Sequence, residues 1–161
     1  MKGQGFHYAV SIETTPAISI ISVWVQPYVD IWFAAFSETK SLEELSSLTM
    51  LQYDYIMSRN KGDKGKNNLL IKSSRIILRP NPEPGEFNRK LSKLLDVLEQ
   101  DPNGIRSLIN TAEGYINVAM LFHNGNTILG GPHINKNAIQ RMAKLNVEID
   151  FDLHANGNFF R

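Results

Sequence analysis

Hydrophobic and polar residues alternate over Phe6 to Thr14, where Phe6, Tyr8, Val10 and Ile12 interleave with His7, Ala9, Ser11 and Glu13. A period of two predicts a half-buried strand. Ile18 to Val25 predicts a second strand, and Gln26-Pro27-Tyr28 a turn, because proline removes a ladder donor and fixes φ. Val29 to Phe36 is apolar at both parities, which points to a central strand. Ser41-Leu-Glu-Glu44 is a capping box and opens a short helix with Leu42, Leu45 and Leu48 on one side. Gln52 to Met57 and Leu69 to Leu78 are predicted as strands around the polar loop Arg59 to Asn68.

The clearest helix runs from about Glu86 to Gln100. Its Phe87, Leu91, Leu94, Leu95 and Leu98 form one apolar stripe. Asp101-Pro-Asn-Gly104 ends it, and Ile105 to Ala112 is a second helix. Tyr115 to Phe122 is a strand, and His123-Asn-Gly-Asn126 a turn. Asn137 and Gln140 suggest a further helix start, with Ile139, Met142 and Leu145 facing the core. Val147 to Leu153 closes the pattern: Val147, Ile149, Phe151 and Leu153 alternate with Glu148, Asp150, Asp152 and His154.

Together these elements predict an α+β domain over residues 1–161, with a mixed or mainly antiparallel sheet and helices packed on one face. Val29 to Gly62 and Tyr115 to Gly157 share a layout of strand, capped helix, strand and polar glycine turn. That layout fits either an internal βαβ duplication or the reuse of common parts.

Composition narrows the chemistry. Zero cysteines exclude disulfides, thiol catalysis and Cys-ligated metals. Hydrophobic residues at 42% and charged residues at 20% fit a globular chain rather than a disordered one. The apolar stretch Ala17 to Phe36 is interrupted by Ser19, Ser22, Gln26, Pro27 and Asp30, so it reads as strands and not as a membrane span. No secretory signal is visible in MKGQGFHYAV, which makes the cytoplasm the expected location.

The net charge of +1 conceals a strong internal division. Residues 1–58 carry net −4, residues 59–93 net +7, and residues 94–161 net −2. The basic cluster includes Arg59, Lys61, Lys64 and Lys66 in the loop. It admits a phosphate or nucleic-acid footprint across 59–79, but no aromatic interleaves that loop for base stacking, so nucleic acid is not the expected partner. A solvated loop and helix face accounts for the same residues.

Asp150, Asp152 and His154 fall on one side of the last strand, about 7 Å apart at alternate positions. Their donor atoms suit zinc, manganese or iron, with His123 or His133 completing a set, as in a small metal-binding protein or hydrolase. A solvent-facing polar strand side accounts for the same residues without a metal, and no metal is the expectation. No G-x-S-x-G elbow, P-loop or G-x-G-x-x-G is present, so no cofactor is expected. Glu148, Asp150, Asp152 and His154 also form an acidic surface of the kind that inhibitors present to basic partners.

The order of a capped helix, the Lys61-Gly62-Asp63 turn, a Leu-rich helix, a core strand, and a helix feeding an acidic strand resembles the bacterial domain-of-unknown-function family 4279. The closest part is INKNAIQRMAKLNVEIDFDLH, Ile134 to His154, and the resemblance covers roughly Val29 to His154. The strand LLIKSSRIIL departs from the family in lacking an aromatic anchor. The resemblance implies a bacterial α+β domain, some of whose relatives look like immunity proteins of toxin systems. It therefore implies a protein toxin as partner, and it carries over no catalytic residue.

Overall fold

The computed structural model describes residues 7–13, 19–26, 28–65, 68–80, 83, 85–123 and 131–156. β1 (His7–Glu13) and β2 (Ser19–Gln26) form an antiparallel two-stranded sheet, with a register shift between Ser11 and Ile12. A second sheet has the order β4-β3-β5-β6, built from β3 (Tyr28–Ser37), β4 (Ser74–Leu78), β5 (Glu113–His123) and β6 (Glu148–Asn156). β3 runs antiparallel to both β4 and β5, whereas β5 and β6 are parallel. A parallel neighbour needs a crossover, and α4 (Lys136–Leu145) lies within it. The result is the expected α+β fold with a mixed sheet, and β3 lies inside it as its double apolar parity predicts.

The helices share one face of this sheet. Val29, Ile31, Phe33 and Ala35 of β3 and Ile116, Val118 and Met120 of β5 enter the same core as the helical residues. The Leu stripe of α2 (Phe87–Leu98) buries Leu91, Leu94, Leu95 and Leu98 there. α3 (Pro102–Thr111) adds Ile105 and Leu108, and α4 adds Ala138, Met142 and Leu145. The short α1 (Leu42–Ser46) contributes Leu45, and its Ser41–Glu44 capping box forms as expected.

Three expectations are corrected. Gln52 to Met57 is not a strand. Asp54 Oδ1 accepts the amides of Ile56 and Met57 and bends the chain into a turn. That segment closes the outer edge of β4 instead: Asp54 N donates to Ile77 O at 2.7 Å, and Ile77 N donates to Ser58 Oγ at 3.0 Å. Of the predicted strand Leu69 to Leu78, only Ser74–Leu78 is β4. Residues 69–73 instead fold against the Lys61-Gly62-Asp63 turn, where Gly62 N donates to Ile71 O and Ile71 N to Asp63 O. Gly62 has φ +89°, which only glycine adopts readily.

The third correction concerns α4. Its cap is Asn135 rather than Asn137, because Asn135 Oδ1 accepts the Ala138 amide at 2.9 Å. The earlier start places Ala138 inward and leaves Ile139 52% exposed, so Ile139 is not a core residue. Of the two readings of the shared layout, reuse of common parts fits better: Val29 to Gly62 holds no second strand, since Gln52 to Met57 is a turn, whereas β5 and β6 are parallel neighbours. The turn predicted at 123–126 falls, after His123, outside the described residues.

Candidate functional site

The end of α4 aims β6. Asn146 takes the left-handed conformation at φ 58°, a region that asparagine tolerates better than most residues. Its amide donates to Ala143 O, and the Val147 amide donates to Met142 O at 3.1 Å, closing the last turn of the helix. Val147 is buried immediately afterwards, and its anchoring sets the parity of everything that follows. Ile149 and Phe151 pack against the core, and Phe151 lies against Phe87 with ring centroids 5.9 Å apart. Glu148, Asp150, Asp152 and His154 consequently stand on the sheet face opposite the helices, all exposed.

Register extends this row into a surface. Glu148 lies opposite Tyr115, Asp150 opposite Asn117, Asp152 opposite Ala119 and His154 opposite Leu121. One strand further in, Trp32 lies opposite Asn117 and Ala34 opposite Tyr115. Phe36 stacks on Tyr115 at 5.7 Å and 25°. Burial raises the Tyr115 phenol above its ordinary value, and the negative charges of Asp150 and Glu113 raise it further. Of the acidic row, it is Asp150 that acts on Tyr115. On the far side of that lane, Arg79 is held by a two-point ion pair to Asp30.

The acidic row stands out in the sequence; the half-buried aromatics Trp32, Phe36 and Tyr115 beside it do not. Their signal was present as even-numbered positions of β3 and odd-numbered positions of β5. The apolar residues at both parities of β3 hid which set faces the helices.

The metal alternative assembles only a pair. His154 Nε2 sits 2.8 Å from Asp152 Oδ1. Among the described residues no three His, Asp or Glu side chains converge in a way that could hold a metal ion. His133 is exposed, and the His123 side chain lies outside the described set.

Part of the basic segment is committed to the fold. Arg59 Nη1 donates to Ser58 O, Lys61 Nζ to Glu38 O at 2.7 Å, and Arg75 Nε to Met57 O. Lys64 is exposed, and Lys66 lies outside the described residues. Two shallow hollows of about 390 and 330 Å³ flank Ala112 and Glu113 at one end of the sheet. In the first, Ser37 Oγ already accepts the amides of Thr39 and Lys40. No helix among the described residues is long and apolar enough to cross a membrane.

A family model described as a domain of unknown function (DUF4279) matches residues 26–156. No curated protein and no solved structure matches the chain.

Proposed function

The chain belongs to the DUF4279 family, and from that premise we propose that it is a non-catalytic protein-binding domain, an immunity protein that neutralises a cognate toxin by direct contact. The observation that carries this reading is the exposed row Glu148, Asp150, Asp152 and His154 beside the aromatic lane of Trp32, Phe36 and Tyr115. Aromatic side chains supply contact area at low entropy cost, and a flanking row of one charge steers and orients an oppositely charged partner. Toxins that act on nucleic acid carry basic surfaces, which this row would cover.

Nucleic acid is the weaker fit for the 59–79 segment. Arg59, Lys61 and Arg75 spend donors on backbone carbonyls, and Arg79 is paired with Asp30. The test is whether a neighbouring gene encodes a growth-inhibiting protein, and co-expression of the two. Restored growth and a stable purified complex are expected, and both should be lost in Asp150→Lys/Asp152→Lys. Absence of both rescue and complex with the wild-type chain overturns the proposal.

A further inference from the structure

We propose that the outer edge of β6 is a pairing site for an extended basic segment of the partner, which joins the sheet as an additional strand beside Glu148–Asn156. This rests on the protein-docking reading above and specifies its geometry. The two edges of the four-stranded sheet are treated differently. At β4 the chain closes its own edge through Asp54, Ser58 and the bridge between Arg59 and Arg75. At β6, among the described residues, no strand lies beyond it. An edge of nine residues is about 30 Å long and presents backbone donors and acceptors that another strand can take up.

The side chains define the occupant. A strand added to β6 would lie about 4.8 Å away and face it in two rows. On the open face, Glu148, Asp150 and Asp152 call for lysine or arginine at alternate positions. On the helix face, Ile149 and Phe151 are half-buried and Leu153 is 51% exposed, which calls for apolar residues between the cations. The matching sequence alternates basic and apolar residues. A second copy of this chain is a poor occupant, because pairing two β6 edges sets carboxylates against carboxylates.

The experiment uses the full chain labelled with ¹⁵N and two peptides. One is a ten-residue peptide of alternating lysine and valine. The other has the same sequence with alternate backbone nitrogens methylated, which keeps the charge and removes the ladder donors. The first should slow amide exchange across 148–156 at least ten-fold. The methylated peptide should bind at least ten-fold more weakly. Asp150→Lys/Asp152→Lys should weaken the first peptide roughly ten-fold.

Equal binding of the two peptides, protection confined to other strands, or no binding overturns edge pairing. Rescue from the toxin without protection of 148–156 also overturns it, while leaving the docking function intact. Edge pairing by the peptide without rescue supports the site and removes toxin neutralisation as its purpose.

Discussion

The carboxylate of Asp101 accepts the backbone amide of Met50 at 2.7 Å, across a separation of 51 residues. The same oxygen accepts Thr49 Oγ1 at 2.9 Å, and the other oxygen caps α3 through the Gly104 amide at 3.0 Å. One side chain thus starts a helix and fastens the segment after α1 to it. Replacing Asp101 with Ala should cost about 2–3 kcal/mol, the sum expected for a lost cap and charge-assisted bonds. Urea denaturation at neutral pH measures it.

Asp101 also gives the stability a direction with pH. The Met50 amide, then Gly104 and Thr49, hold its carboxyl below the usual aspartate value against the opposing effect of burial. The unfolded chain takes up this proton first as pH falls, so the contribution is complete above about pH 4. It is lost as pH falls further through the lower folded value. Asp101→Asn should therefore narrow its gap to the wild type in acid, as read by denaturation at about pH 7 and about pH 3.

Gly104→Ala should destabilise the chain even though alanine favours helices by about 1 kcal/mol. A Cβ there would meet Asp101 Oδ2 at 2.1 Å and Leu48 O at 2.8 Å. The carboxylate would have to leave, and the three bonds it accepts would go with it. A loss of about 2 kcal/mol or more is expected from thermal or urea unfolding. A gain would contradict this arrangement.

Lys90 is 1% exposed on α2, and its ammonium donates to Val29 O and Glu83 O at 2.7 Å each. Lys90→Met should cost about 1–2 kcal/mol by leaving those carbonyls without a donor. Burial pushes the ammonium below the ordinary lysine value, although Asp30 opposes the shift. The unfolded chain then binds the proton more readily, and the penalty of keeping it in the fold is relieved as pH rises. The stability gap between wild type and Lys90→Met should widen from about pH 8 to about pH 10.

Arg141 on α4 grips Glu99, the residue that caps the end of α2, with two bonds of 2.8 and 2.7 Å and reaches Asp96 of α2 at 2.6 Å. The guanidinium is mostly covered while its partners are more exposed. Arg141→Ala should cost about 1 kcal/mol, and less at high salt. Arg141→Lys should recover little of it, since a lysine cannot make the forked contact. Denaturation at two ionic strengths distinguishes these outcomes.

The amino-acid pattern alone specifies the parts of this fold in which one physical signal dominates. The Leu stripe of α2, the Ser41–Glu44 box and the alternation in β6 each state their structure locally. It failed where long-range partners decide. Gln52 to Met57 has strand-like composition, yet Asp54 turns it against Ile77, which is distant in sequence. Asn135 and Asn137 are both plausible caps, and the choice between them follows from which phase buries Ala138 and Met142. The acidic half of the candidate site was legible because its charges alternate with core residues. The aromatic half was not, because β3 is apolar at both parities and only the packing of the helices against its odd-numbered positions reveals which face is open.

The central claim is that the acidic face of β6 binds a protein partner. The most direct measurement is calorimetric titration of the proposed cognate toxin, sought first in the neighbouring genes, into the wild-type chain and into Asp150→Lys/Asp152→Lys. Both positions are exposed, so the variant should melt within a few degrees of the wild type. Its affinity should fall about a hundred-fold or more, as expected when opposed charges become like charges at an interface. Unchanged affinity in a folded variant would contradict the account.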